Sequence, residues 1–455
     1  MPTLHPPHGV CGLAAALLMV ASQALPARPA PTPTPSAETL LATLRQSAKE
    51  DPSAWPRLVE LCDTVGPRLA GSLAFTRAVA WARAMLAADG HEAVRLEPVT
   101  VRAWVRGRER AEMTAPIRRD LPMLGLGGSV GTPGIEAPVT VVRSVEELGP
   151  RVNGTIVLFC PEILGSDSAG ARYGTFSHLR TVGASAAAGH GAVAALVRSA
   201  PLQSLATPHT GHMAYDEGKP RIPAAALSAE DAEWISRLVG RGIEVRIRLE
   251  MEAHDGGPVQ TANVIAEIRG SEKPEEIVLV GGHLDSWDVG QGAQDDGVGV
   301  VHTVETLRLI RALGVQPRRT IRGVLFANEE NGLDGGTAYA TAHGAERHVA
   351  AVESDLGAGA ILHWAVVATP QQAGWLLPVV KPVGIPVEIG GAGADISGLT
   401  DAGVLGIGGH GDVARYFDVH HTHADTPDKV DPQALRDGLA NVAALVWLLA
   451  NAPAP

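Results

Sequence analysis

Four short stretches of this chain gather groups that bind cations or move protons. The first runs Gly282-His283-Leu284-Asp285-Ser286-Trp287-Asp288 and continues through Gly290-Gln291-Gly292 to Asp295-Asp296-Gly297. The second is Asn328-Glu329-Glu330-Asn331-Gly332, the third Glu353-Ser354-Asp355, and the fourth His420-His421-Thr422-His423-Ala424-Asp425-Thr426. A His followed two residues later by Asp can place its imidazole on a metal while the carboxylate holds the other ring nitrogen. Adjacent carboxylates repel, so a turn that gathers them near other acids needs cations to hold it. The side chains of Glu329 and Glu330 diverge, which lets one ligate while the other faces a metal-bound water. Taken singly, each stretch reads equally well as a polar loop or a helix cap. Taken jointly they supply His, Asp, Glu, Asp and His, the imidazole and oxygen mixture that zinc prefers.

These groups need a frame that brings them together. Beyond Asn263 short apolar runs alternate with helical spacing. Strands are expected at Ile277–Val280, Thr320–Ala327, Val349–Val352 and Val404–Ile407. Helices are expected at Val298–Leu313, Gly336–His343, Gln371–Val380 and Pro432–Ala450. Such alternation implies an α/β fold, a doubly wound and largely parallel sheet covered on both faces. Ligands in such folds sit beyond the carboxyl ends of strands, where the four stretches fall. Upstream, Glu38–Leu61 and Ser72–Ala88 carry helical spacing and Ala93–Val105 alternates like a strand. From Pro116 to Glu252 the texture changes to short β runs, Val139–Val142 and Thr155–Phe159 among them, with one small-residue helix around Ala184–Leu196. The expected division is a catalytic part over 37–115 and 256–455, interrupted by a β-rich insert over 116–255.

Composition narrows the function classes. The chain has 455 residues, 45% hydrophobic and 19% charged, enough for two or three domains. Lys plus Arg number 37 against 49 for Asp plus Glu, a net charge of −12, and no basic run interleaves with aromatics, so no nucleic-acid partner is expected. Val10 to Leu25 is an apolar run too short to span a bilayer comfortably, ending in small residues. It reads as an export signal over 1–27, despite His5 and His8 standing where Lys or Arg is usual, and a Pro/Thr linker follows over 28–36. Cys11 lacks the preceding residues of a lipoprotein site. Cys62 and Cys160 fall in different parts and read as buried free thiols rather than a disulfide, too few for a thiolate zinc site.

The four stretches together resemble the zinc peptidases of the aminopeptidase-like family. Similarity extends to Asp63-Thr64-Val65-Gly66-Pro67-Arg68-Leu69, Leu124-Gly125-Leu126-Gly127 and Pro208-His209-Thr210-Gly211, so it spans nearly all of the chain after the signal. The resemblance implies that His283 and Asp355 hold one zinc, that Glu330 and His421 hold the other, and that Asp295 bridges them. It implies Glu329 as general base and Asp285 as the partner of His283. His421 fits better than His420 or His423, because the family's final ligand is followed by Thr and, after two further residues, by Asp-Thr. The resemblance also implies a cis peptide at Asp295-Asp296, a substrate-side loop at Gly393-Ala394-Asp395-Ile396 and a protease-associated domain as the insert. His302, His343 and His410 lie outside the motifs.

The expected activity is that of an exported dizinc exopeptidase, periplasmic or secreted, acting on short peptides as a dipeptidase or carboxypeptidase. Two zinc ions lower the pKa of a bridging water towards ~7, and Glu329 then carries its proton. An aminopeptidase on longer peptides would use the same cradle. A non-catalytic receptor would lack ligands, and here all five and the base are present. The expected partner is a short peptide, with no stable membrane insertion after signal removal; a homodimer remains open.

Overall fold

The computed structural model describes residues 36–453 apart from 92, 163–167, 202–204, 359–360 and 412. The expected signal and most of the linker lie outside the described residues.

Two sheets carry the fold. The first has eight strands in the order Arg95–Val105, His254–Ile268, Arg319–Phe326, Lys273–His283, Arg347–Glu353, Gly406–His410, His363–Val367 and Val387–Ile389. Its four central strands, from Arg319–Phe326 to Gly406–His410, run parallel. The two strands before them and the His363–Val367 strand pair antiparallel. The expected α/β sheet is therefore parallel where it carries the site and mixed towards its edges.

Alternation along the central strands explains the layering. Val278 and Val280 face one core with Ile321, Leu325, Ala350 and Val352, against the helices Ala37–Glu50, Val298–Ala312 and Pro432–Asn451. Leu279, Val324, Phe326 and Ala351 face the other core, beneath Asp334–His343 and Ser397–Asp401. Strands buried on both faces read as continuous apolar runs, which is why they were legible. The Val298–Ala312 helix is sandwiched so fully that even Glu305 is buried.

Several expected boundaries move. The helix expected over Glu38–Leu61 is two helices, Ala37–Glu50 and Ala54–Thr64. Pro52 drives the break: it disfavours helical backbone in the residue before it, and Asp51 is extended at φ −66°, ψ 125°. The small-residue helix runs over Ala169–Ala188 rather than Ala184–Leu196. Gly191 at φ +83° turns the chain, and Ala194–Arg198 becomes a buried strand. Alanine runs carry too little periodicity to separate the two.

The second sheet has the order Arg119–Leu121, Glu109–Ala115, Arg246–Met251, Thr132–Val142, Ile156–Phe159, Ala194–Arg198, Ala224–Leu227 and Met123–Gly125. It takes in Glu109–Ala115, which the sequence reading left in the catalytic part. That strand pairs with Arg246–Met251 and buries Ala111 and Met113 in the second sheet's own core. Cys62 and Cys160 are both buried free thiols. No helix among the described residues is long and apolar enough to cross a membrane.

His302 lies on the helix Val298–Ala312 and is buried in the core. Its Nε2 lies 3.1 Å from the Leu435 carbonyl and its Nδ1 2.9 Å from Ser354 Oγ, contacts that suit a neutral ring donating to the carbonyl and accepting from the hydroxyl. Burial holds this imidazole down at about 4, from an ordinary 6.5. The unfolded chain takes up a proton here below pH 6.5 that the folded chain refuses until about pH 4, so stability falls as pH drops through that window. The expected loss is about 2 kcal/mol over the first one and a half pH units. His302→Gln keeps a donor and an acceptor but cannot titrate, so it should flatten that slope in denaturant melts at successive pH values. Parallel slopes for the two proteins would acquit His302.

Candidate metal centre

The ends of the central parallel strands deliver the site. His283 closes the strand Lys273–His283, and Glu329 and Glu330 follow Arg319–Phe326 directly. Asp355 lies two residues past Arg347–Glu353, and Asp295 sits in the connection to the helix Val298–Ala312. His421 comes from beyond the strand Gly406–His410, after a short helix over Val413–Val419.

Asp295 is the centre of the arrangement. His283 Nε2 lies 3.1 Å from its Oδ1 and 3.2 Å from Asp355 Oδ1. His421 Nε2 lies 3.1 Å from its Oδ2 and 2.9 Å from Glu330 Oε2. The five expected ligands thus form two sets, one on each oxygen of Asp295. Asp295 Oδ2 is buried without a hydrogen bond of sound geometry although His421 Nε2 is close. His283 Nε2 is within hydrogen-bond distance of both Asp295 Oδ1 and Asp355 Oδ1, and donor atoms crowded into one space in this way are what a cation can satisfy together. The peptide Asp295-Asp296 is cis.

Neighbouring groups fix each ligand. Glu330 Oε1 accepts from the Trp287 N–H at 3.1 Å, leaving Oε2 for the centre. Asp296 accepts from the N–H groups of His283 (3.0 Å) and Gly299 (2.8 Å), so it is committed to backbone. Asp288 is held by Arg106 through contacts of 2.6 and 2.8 Å. The Asp285 carboxylate accepts from the N–H groups of Glu329 (3.1 Å) and Glu330 (3.4 Å). The ring nitrogen His283 Nδ1 lies 3.1 Å from the Asp285 carbonyl and 3.7 Å from its carboxylate. Asp285 therefore steadies both the imidazole and the Glu329-Glu330 turn. Glu353 accepts from the N–H groups of Ala394 (2.9 Å) and Ile396 (3.0 Å), clamping the loop that carries buried Asp395.

Charge crowding dominates the electrostatics. Burial pushes the Glu329 carboxyl well above the usual range; His283 opposes this, while Asp355, Glu330 and Asp295 add to it. Burial and then Asp295 push Glu330 up to about 7, against the pull of His421. Against the cost of burial, the surrounding carboxylates hold both His283 and His421 well above the ordinary imidazole value. So many acids in one buried place stay ionised only opposite cations.

The centre opens into a cavity of about 530 Å³ lined by Asp295, Glu329, Glu330, Asp355, His420 and His421. His423, by contrast, is exposed. Tyr173, Arg180 and His212 from the second sheet's segment also line the cavity, as do Tyr416 and Phe417. Sequence reasoning missed these five, which carry no metal-ligand spacing. The second sheet's segment reaches further still: His421 Nδ1 lies 3.3 Å from the Thr210 carbonyl.

Comparison with known proteins shows the family. The model of Peptidase family M28 matches residues 263–446, which hold all five expected ligands and Glu329. Carboxypeptidase Q of Bos taurus is 40% identical over 411 residues, 88% of this chain and 84% of that protein. The chain belongs to peptidase family M28. Carboxypeptidase Q of Homo sapiens matches at the same identity and coverage. The crystal structure of a Peptidase M28 precursor from Shewanella amazonensis has a TM-score of 0.87 at 38% identity, covering 91% of this chain and 98% of that one. The zinc aminopeptidase BSAP of Bacillus subtilis shares the M28 fold at 19% identity and a TM-score of 0.65, covering 88% of this chain and 95% of its own.

Asp425 holds the key loop of this M28 site. Its Oδ1 accepts from the N–H groups of Ala293 (3.1 Å) and Gln294 (2.7 Å), and its Oδ2 from that of Asp295 (3.2 Å). Asp425→Ala leaves three buried donors without their acceptor, at about 1–3 kcal/mol each. The expected result is a protein several kcal/mol less stable that retains less divalent metal, read by thermal unfolding and elemental analysis. Unchanged metal content would show that other contacts hold the loop.

Proposed function

We infer that this protein is an exported dizinc exopeptidase that hydrolyses short peptides as a dipeptidase or carboxypeptidase. The observation that carries the reading is that His283 and His421 meet different oxygens of Asp295 and that each ring also meets a second carboxylate, Asp355 and Glu330 respectively. His283 and Asp355 would hold one zinc, Glu330 and His421 the other, with Asp295 shared. Two imidazoles and three carboxylates suit zinc, and a shared carboxylate suits a pair of ions. When bound, zinc supplies Lewis acidity for the peptide carbonyl and makes a coordinated water more acidic.

The chain's own groups do the rest. Glu329 lines the cavity and is not among the donors that meet at Asp295, so it is free to accept the water's proton and pass it to the leaving amine. Asp285 holds the backbone of Glu329 and so sets where that carboxylate stands. The second sheet, outside the M28 match at 263–446, is assigned as a protease-associated insert that walls the cavity without supplying a ligand. Export is supported by the apolar N-terminal run. The carboxypeptidase reading is supported by relatives of that name.

Two experiments test this. Zinc-loaded protein is offered free, N-blocked and C-amidated dipeptides and tripeptides. Cleavage of N-blocked but not C-amidated peptides means carboxypeptidase, the reverse means aminopeptidase, and a demand for both free ends means dipeptidase. Among variants, His421→Ala should lose zinc and activity together. Glu329→Gln should keep two zinc ions and slow hydrolysis by about 10²–10⁴-fold. If Glu329→Gln lost zinc while Glu330→Gln kept both ions, the two roles would be exchanged.

A further inference from the structure

Arg180 sits beside the metal centre with its charge unanswered. It belongs to the helix Ala169–Ala188 of the second sheet's segment, is 8% exposed, and lines the same cavity as Glu329, Glu330, Asp355 and His421. Other buried arginines have carboxylates: Arg198 has Glu233 at 2.7 Å, Arg319 has Glu276 at 2.5 Å, and Arg322 has Glu267 at 2.6 Å. Arg68 lacks one, but backbone carbonyls accept from all three of its nitrogens. For Arg180 no carboxylate among the described residues lies within ion-pair range. One terminal nitrogen donates to the Thr210 carbonyl at 3.0 Å and touches the Nδ1 atoms of His209 (3.4 Å) and His421 (3.5 Å). The other reaches Ser177 Oγ at 3.4 Å, and Nε has no partner. A buried guanidinium without an anion is costly, and its planar fork matches a carboxylate.

We propose that Arg180 is the specificity residue that binds the free C-terminal carboxylate of the substrate, an assignment that rests on the exopeptidase reading. Position commits it further. A single imidazole ring separates Arg180 from the cradle: His421 Nδ1 faces the guanidinium, and its Nε2 faces Asp295 and Glu330. One extended residue spans about 3.3–3.6 Å, so a carboxylate at Arg180 belongs to the residue immediately after the scissile bond. The enzyme therefore releases one C-terminal residue at a time, and the insert selects for that free end. Gly211 makes room for the arrangement. Its φ is +147°, and a Cβ there would stand 2.2 Å from Arg180 Cζ and 2.5 Å from Nε, so only glycine lets the guanidinium lie against this backbone.

The test uses full-length, zinc-loaded protein, with a dipeptide and its C-amidated counterpart as substrates. Arg180→Gln should lower kcat/KM for the free dipeptide by about 10- to 100-fold, mostly through KM, since a charge-assisted contact is lost. Any residual hydrolysis of the amide should stay within about twofold of the wild-type level, and the zinc content should remain at two ions. Arg180→Lys keeps the charge but not the fork and should fall between. Gly211→Ala should reproduce the selective loss by displacing the guanidinium, with Arg180 itself unsubstituted. Equal losses on both substrates, or loss of zinc, would make Arg180 a brace for Thr210 and His421 and overturn the proposal. Unchanged kinetics would overturn it too. A wild-type protein that cleaves neither peptide would overturn the exopeptidase reading first.

Discussion

Two imidazoles and five carboxyl groups, those of Asp285, Asp295, Glu329, Glu330 and Asp355, are packed at the strand ends of one sheet, and the surrounding structure is organised to keep them there. Like charges in a buried place repel, so such a cluster cannot be a by-product of packing. Each member is tied to a rigid element: His283 ends a central strand, Glu330 is fixed by the Trp287 N–H, and Asp295 is carried on a loop pinned by Asp425. The apolar strands beneath supply the stiffness. Val278, Val280, Leu279 and their neighbours are buried on both faces of the sheet, so the carboxyl ends have little freedom to relax apart.

The expected ligands come from one part of the chain, whereas the cavity wall draws on both parts. All five proposed ligands lie in the 263–446 stretch that matches the M28 family. The segment of the second sheet adds Tyr173, Arg180 and His212 to the cavity wall and the Thr210 carbonyl to His421. This separation lets one cradle serve several peptidase activities, because the groups that read the ends of a peptide can change without disturbing the ligands. It also couples the two parts, since the Thr210 carbonyl stands against a ring nitrogen of His421.

Asp285 and Asp425 illustrate how much of the site lies outside its ligands. Neither points an atom at the space between His283, Asp295 and His421. One organises the Glu329-Glu330 turn through two backbone contacts, and the other organises residues 293–295 through three. The family resemblance implied a partner of His283 at Asp285. In the structure its carbonyl is the nearer atom and its carboxylate serves the turn as well.

The residues that converge on Asp295 were legible in the sequence because their chemistry is local and their spacing is carried by adjacent strands. His283, Asp295, Glu330, Asp355 and His421 each sit at the end of an apolar run or a turn, and buried parallel strands write such runs plainly. The strand His254–Ile268 was not legible, because its first half is Gly-rich and polar and takes its conformation from pairing with Arg95–Val105. The break at Pro52 was readable in principle, whereas the turn from Ala188 into the strand Ala194–Arg198 was not, since alanine runs suit either state. Arg180 and Thr210 were out of reach for a deeper reason. An arginine in a small-residue helix and a backbone carbonyl carry no motif. Their meaning arises only when folding sets them against His421, more than two hundred residues away. The ligand chemistry was thus determined by residue type and spacing. Which surface faces the substrate was decided by tertiary packing, because a buried charge acquires its role from what does, and does not, surround it.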